Sequence, residues 1–273
     1  MVLNRRIKIA YFWIFKKKHN VRIKELFYFI RKPRVERIGL RFIKNINYSN
    51  DFKIVSFKSM RNELYLPYSY RLNELYRICA ETFDTSDWHH YENGVGKVNE
   101  NDIVVDAGSA EGLFSLSIVE RCKKVFVVEP NRNFIRALKK TFEQFNPQKV
   151  ELFNAALGDN NVLAKAIGKG ISGSVVESKK GDIKITTLDN LLKDKGKITY
   201  IKADLEGWEM KMLIGAKGII SKYKPKIVIT AYHRDNEQGK MINFLKQIVP
   251  EYKYRVRGIS QYSGRPILVW FWV

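Results

Sequence analysis

Residues Asp102 to Phe114, DIVVDAGSAEGLF, end an apolar run on a carboxylate, Asp106, and follow it with Gly108, Ser109 and Gly112. A glycine at 108 lets the backbone turn sharply and come close to a ligand, while one at 112 allows tight helix-to-strand contact. Further on, Glu129 ends a second apolar run, with Pro130 behind it. An acid in that place can take both hydroxyls of a ribose. A third run ends at Asn154 in NAALGD, where an amide and the small Ala155 can flank a flat base. Taken singly, a strand-end Asp is often a helix cap and a Glu before proline often faces solvent. Three such residues in register on consecutive runs favour a nucleoside. DAGSAEG carries two glycines rather than GxGxxG, and Glu111 near the helix start would repel a phosphate. The residues therefore favour a nucleoside with no phosphate and a positive centre, S-adenosyl-L-methionine, over NAD.

A second group has the types needed to help an acceptor react. Methyl transfer from such a cofactor needs alignment of the acceptor and exclusion of water, and a base can assist by taking the acceptor's proton. Asp204 and Glu206 follow a fourth apolar run, and His233 follows a fifth. Strand alternation puts Lys202 on the face of Asp204, where it can hold that carboxylate or steady the acceptor. Two readings of Asp204 and Glu206 stand side by side: direct catalysis, and shaping of the cofactor loop. Glu209 reads as a first-turn helix acid, and His89 and His90 in SDWHHYENG as part of a surface boundary loop. Asp204, Glu206 and His233 offer hard ligands for Mg²⁺, but no compact ligand motif calls for a metal and none is assigned. Gly168 to Ser174, GKGISGS, lacks the Gly-Lys-Ser/Thr ending of a phosphate loop and reads as a loop over the site.

Positioning these residues requires an open sheet. From Asp102 onward short apolar runs alternate with helical patterns, which is the signature of parallel α/β architecture. Strands are predicted at Ile103–Asp106, Val125–Glu129, Val150–Asn154, Thr199–Asp204 and Lys226–Ala231. Helices are predicted from near Glu111, Asn131, Thr187 and Glu209, and over Glu237–Val249. Tyr252–Arg257 and Ile267–Val273 close the chain as an antiparallel hairpin. In such three-layer sheets ligands sit at the carboxyl ends of the strands, where Asp106, Glu129, Asn154, Asp204 and His233 fall or follow.

DIVVDAGSAEGLF, VFVVEPN, NAALGD, ITTLDNLL, YIKADLEGWEMKMLIGA and IVITAYHR together resemble the FkbM-type S-adenosylmethionine-dependent methyltransferases. The likeness runs from about Asp102 to Val273, and Asp204-Leu205-Glu206-Gly207-Trp208-Glu209 carries its most specific motif. Ser109 and Ala110 depart from the Ala and Asn that the family favours after the first strand. The resemblance implies a three-layer Rossmann-like class I methyltransferase fold over 101–273. It also implies O-methylation of a hydroxyl on a sugar, glycan, glycolipid or natural product. Residues 1–100 match little of the family and stand as a separate basic extension, membrane-surface or acceptor-binding.

Charge and composition bound the alternatives. The chain has 273 residues, 45% hydrophobic, which is globular rather than disordered composition. Two cysteines, Cys79 and Cys122, fit a reducing, cytoplasmic setting and exclude a disulfide framework. The net charge is +21, and residues 1–50 hold fourteen Lys or Arg against Glu25 and Glu36, a net of +12. Such a block attracts anionic lipid, nucleic acid or acidic glycan, or else forms a solvated face. Within it, Ile7 to Phe15 is mostly apolar, too short to span a bilayer, and followed by Lys16 to Lys18 where a cleavage site would need small residues. It reads as an interfacial helix at the inner face of a membrane, or as a helix packed on its own domain. Nucleic acid is the weaker partner, because no nucleic-acid-reading motif accompanies the charge. An RNA methyltransferase, or a non-catalytic membrane-associated module on a vestigial cofactor fold, are the competing functions.

Overall fold

The computed structural model describes residues 2–167, 174–178, 181 and 183–273. The first hundred residues form regular elements throughout much of their length. Helices α1 (Val2–Phe15), α2 (Ile23–Arg31) and α3 (Val35–Leu40) lead into an antiparallel meander of β1 (Ile43–Tyr48), β2 (Phe52–Phe57) and β3 (Leu64–Pro67). Helix α4 (Leu72–Phe83) follows. Pro33 separates α2 from α3: Lys32 before it is extended, as a residue preceding proline must be. Helix α1 packs on its own domain through Ile9, which joins Val21, Leu26, Trp88 and Ile259 in a local core.

The main sheet collects β4 (Ile103–Ala107), β5 (Lys124–Val128), β6 (Val150–Phe153), β11 (Tyr200–Ala203), β12 (Lys226–Thr230), β13 (Lys253–Arg257) and β14 (Leu268–Trp272). Its order is β13-β14-β12-β11-β4-β5-β6, parallel except for β14. The closing hairpin therefore forms one edge of the sheet, with β13 outermost and β14 between β13 and β12. Helices α5 (Leu113–Ile118), α6 (Arg132–Phe142), α7 (Leu188–Leu191), α8 (Glu209–Gly215), α9 (Lys217–Tyr223) and α10 (Glu237–Ile248) supply the crossovers. A second small sheet, β7 (Ala156–Leu157), β8 (Val162–Ile167), β9 (Ser174–Glu177) and β10 (Ile183–Thr186), is inserted after β6, in the order β7-β10-β8-β9. Of the run from Gly168 to Ser174, all but Ser174 lies outside the described residues.

Alternation along the strands divides the core. Val104, Val125, Val127, Tyr200 and Val228 face one side, and Val105, Ala107, Phe126, Val128, Ile201 and Ala203 face the other. Both faces are covered, which is why these strands read as unbroken apolar runs. The first cluster continues through Val55, Phe57, Leu64, Leu66 and Leu75, so residues on both sides of position 100 share one core. Trp270 of β14 and Tyr200 of β11 fasten the connection by donating to the backbone carbonyls of Tyr91 and Gly96, at 2.9 and 2.8 Å.

Candidate active site

The carboxyl ends of β4, β5 and β11 open onto a hollow. It is built by close approaches of backbone. Gly108 has φ +71°, and a Cβ there would lie 2.0 Å from the carbonyl oxygen of Asp204, so only glycine lets the β4 turn meet the loop after β11. Two side-chain-bearing residues on the rim, Ala110 and Glu206, are held at φ +47° and +52°. Strained backbone of this kind persists where the surrounding fold enforces it, and it gathers at functional sites.

The lining is acidic. Glu129 Oε2 accepts from the Ala110 N–H and Oε1 from the Asn131 N–H, at 2.9 and 2.8 Å, so the carboxylate ties the β4 and β5 turns together. Burial pushes Glu129 up to about 7, against the downward pull of those two N–H groups. Burial likewise raises Glu111 to about 7, and Tyr70 donates to it at 3.4 Å. Asp204 accepts from Tyr91 Oη at 2.9 Å and Thr230 Oγ1 at 3.3 Å. Burial opposes its charge, but the nearby His89 ring and the charges of His233 and Lys202 hold it well below the usual carboxylate range. Glu206 completes the set, raised by burial and by Asp204 beside it.

Several predicted residues meet here and others do not. Gly108, Ser109, Glu129, Pro130, Ala155, Asp204 and Glu206 line the hollow. Asp106 does not reach it. Its side chain shares the face of Val104, is fully buried, accepts from Ser115 Oγ at 2.7 Å and pairs with Lys202 at 2.9 Å. Asp106 and Lys202 are cross-strand neighbours in the β4–β11 register, and Lys202 Nζ also donates to the Gly108 carbonyl at 2.9 Å. Lys202 itself lines the hollow, secures the turn through that carbonyl, and its charge acts on Asp204. Asn154 is exposed and spends its amide on the carbonyls of Glu129 and Pro130, both at 3.0 Å, shaping that turn rather than flanking a base. Gly112, at φ +81°, makes room for Leu138 and Phe142 of α6, so the tight contact is with a helix and not a strand.

The histidines exchange places. His89, expected on a surface loop, lines the hollow, with Nε2 3.8 Å from Asp204 and Nδ1 3.6 Å from Glu81. Lys32 causes this by binding Asp87 at 2.8 Å, while Trp88 stacks on Phe29 at 4.4 Å, which draws the segment inward. Burial disfavours the charged His89 ring, but Glu81 and Asp204 raise it overall. His233 stands behind the carboxylates, 3.7 Å from Asp204 and 3.5 Å from Glu206. Burial resists its protonation, yet the Glu209 hydrogen bond and the charge of Asp204 push it up to about 9. Glu209 is no exposed first-turn acid: it is fully buried and accepts from the Leu205 N–H, Thr230 and His233. Among the described residues, the set able to hold a metal ion is Asp204, Glu209 and His233, with ligand atoms within 4.8 Å of one another. The 2.7 Å bond joining His233 Nδ1 to Glu209 already ties two of the three together.

An open, mostly parallel sheet of this order, with an acidic hollow at its carboxyl edge, defines a Rossmann-like class I methyltransferase fold. A family profile described as the methyltransferase FkbM domain matches residues 102–256, and the chain belongs to that family. Among solved structures it resembles methyltransferase FkbM from Methylobacillus flagellatus KT, at 21% identity and TM-score 0.49, over 76% of this chain and 56% of that one. This chain thus spans little more than half of that relative's length. It is also similar to an rRNA methylase from Streptococcus thermophilus, at 15% identity and TM-score 0.42, over 64% and 88% of the two chains. M. jannaschii TYW2, solved in complex with AdoMet, aligns at 14% identity and TM-score 0.46, over 84% and 88%. Among curated proteins the chain has no match.

Proposed function

We propose that this chain is an S-adenosyl-L-methionine-dependent O-methyltransferase acting on a hydroxyl of a sugar, glycan, glycolipid or natural product. One observation carries the reading: Glu111, Glu129, Asp204 and Glu206 line a single hollow whose lysine and arginine, Lys202 and Arg77, are already paired with Asp106 and Glu81. That is a seat for a positively charged ligand without phosphate. Ser109 Oγ is buried on its wall without a hydrogen-bond partner, as a side chain awaiting a polar ligand would be. Glu129 would take the ribose, Val128, Pro130 and Ala155 the base, and Ser109 with Glu111 the amino-acid end.

Bound there, S-adenosyl-L-methionine supplies a methyl carbon already activated by positive sulfur. The chain's own residues align the acceptor and manage its proton. Asp204, kept ionised by His89 and His233, would accept the hydroxyl hydrogen bond and then the proton that the oxygen gives up when it takes the methyl group from sulfur, which leaves as a neutral thioether. Tyr91 and Thr230 fix the carboxylate's orientation, and His233, itself fixed by Glu209, positions Asp204 and Glu206 without touching substrate.

The pH dependence follows from the raised carboxyls. With Glu111 and Glu129 near 7, both are largely neutral at pH 6 and ionised at pH 8, and only the ionised forms attract a cation. Cofactor affinity should therefore rise at least about tenfold from pH 6 to pH 8. Glu129→Gln should flatten that rise by about half. Calorimetry with S-adenosyl-L-methionine checks both, and an affinity constant across this range would remove the carboxylate cradle.

The same proposal places the chain peripherally at an anionic membrane. No helix among the described residues is long and apolar enough to cross one. Helix α1 nevertheless exposes Ile7, Tyr11, Ile14 and Phe15, and α2 exposes Ile23, Phe27 and Tyr28, among the Lys and Arg of residues 1–50. Apolar side chains interleaved with basic ones suit lipid better than nucleic acid. Deleting residues 1–50 would remove the buried Ile9, Leu26 and Ile43, so point changes make the better test. Ile14→Ser with Phe15→Ser should cut co-sedimentation with phosphatidylglycerol vesicles by about tenfold or more at unchanged Tm. Equal binding by both proteins would exclude this face.

A further inference from the structure

A second cavity, of about 520 Å³, adjoins the first and shares four of its side chains, Arg77, Glu81, His89 and Tyr232. Its size is that of a small-molecule site, and it meets the cofactor hollow at His89, the residue that bridges Glu81 and Asp204. A hydroxyl entering from this side arrives at the carboxylate assigned to receive its proton. The remaining walls come from the first forty residues, from Asn73, Asp87 and Trp88, and from the 259–267 segment, not from the sheet.

The chemistry of those walls is divided. Ile9, Phe29, Trp88, Ile259 and Ile267 make one side apolar. Arg6, Arg34 and Arg37 also line it, together with Glu36. Lys32, deeper in, is neutralised by Asp87 at 2.8 Å and Asp84 at 3.9 Å. The guanidinium of Arg6 is held by the Lys32 carbonyl. Arg34 and Arg37 are exposed and make no ion pair among the described residues. Unspent guanidinium groups beside an apolar wall match a ligand that joins a phosphate to an apolar segment, since arginine's planar fork pairs with phosphate oxygens two at a time.

We propose that this cavity is the acceptor site and that it takes a phosphate- or phosphodiester-bearing molecule with an apolar portion adjoining its hydroxylated part. The assignment rests on the methyltransferase reading and names the acceptor class for it. Arg34 and Arg37 hold the phosphate at the mouth, the apolar wall takes the attached segment, and the passage by His89 leads the hydroxyl to Asp204. Helices α1 and α2 build the outer wall while exposing apolar side chains on their other faces, so a lipid-borne phosphate has a short way in.

The test uses the full chain and three probes: dihexanoyl phosphatidic acid below its micelle concentration, inorganic pyrophosphate, and phosphatidylglycerol vesicles. Calorimetry should show dihexanoyl phosphatidic acid binding at least tenfold more weakly to the Arg34→Glu, Arg37→Glu double variant. Asn73→Trp, which fills the mouth from an exposed position on α4, should weaken it similarly. S-adenosyl-L-methionine affinity should stay within twofold in both variants, so loss of cofactor binding in the parent protein would count against the methyltransferase reading and not against the cavity. Pyrophosphate bound as tightly as the lipid, and lost in the same variants, supports a soluble phosphate ester as the source. Vesicle binding lost in the arginine variant together with the short-chain lipid supports a lipid-borne source. Unchanged dihexanoyl phosphatidic acid affinity in both variants, or no binding of either soluble probe at millimolar concentration, overturns the proposal.

Discussion

Asp204→Asn should lower kcat by about 10²- to 10⁴-fold while leaving S-adenosyl-L-methionine affinity within about tenfold, the loss expected when a positioned proton acceptor is removed. The substitution keeps the side chain's shape and leaves one oxygen to accept from Thr230 or Tyr91, whose hydroxyls now bond Asp204 at 3.3 and 2.9 Å. It takes away the charge that His89 and His233 share. His233 should then titrate below its present value of about 9, because Asp204 ranks just behind the Glu209 hydrogen bond in raising it. Steady-state kinetics with ring-proton titration of the histidines separates two readings. A proton acceptor gives a fall in kcat with little change in cofactor binding. A loop-shaping residue gives the reverse, with affinity collapsing first. The second pattern would return Asp204 to the cofactor set and leave the acceptor's proton to another group.

Much of the sheet was legible because its strands are covered on both faces and so appear as short apolar runs of the right length. Ile103–Asp106 and Lys226–Ala231 each fall within one residue of the observed strand. The ends of those runs correctly marked the edge where the hollow lies. What could not be read was direction. A polar residue that ends a strand points either over the edge or into the layer beneath, and the choice depends on which face the covering helix occupies. Asp106 falls on the face that Ser115 of α5 covers, and so becomes a buried ion-pair partner; Glu129, beyond the end of β5, escapes that layer and faces the hollow. His89 was illegible for a different reason. Its position depends on Lys32, 57 residues earlier, reaching Asp87, and no local pattern announces so distant a pair. The small second sheet was hidden because most of its strands have four residues or fewer, where propensity alone says little.

Those buried partners account for the second large effect. Lys202→Met should destabilise the protein by about 3–5 kcal/mol, the cost of leaving a buried charge without its partner. Asp106 has no exposure to water, and beyond Lys202 its remaining support is the hydroxyl of Ser115. The same change removes the donor that holds the Gly108 carbonyl, so the β4 turn should loosen as well. Removing both charges, Lys202→Met with Asp106→Asn, should restore most of the lost stability, since neither side chain then carries an unmet charge. Urea denaturation of the single and double variants supplies the cycle. Cofactor calorimetry on the double variant then decides what Asp106 does. As a support beneath the turn, it can be neutralised together with Lys202 at a cost of no more than about tenfold in affinity, provided the fold is recovered. As a direct ligand of the cofactor's amino group, its loss would cost about a hundredfold or more even in a stable protein. The placement of its side chain beneath Gly108, on the face of Val104, predicts the smaller number.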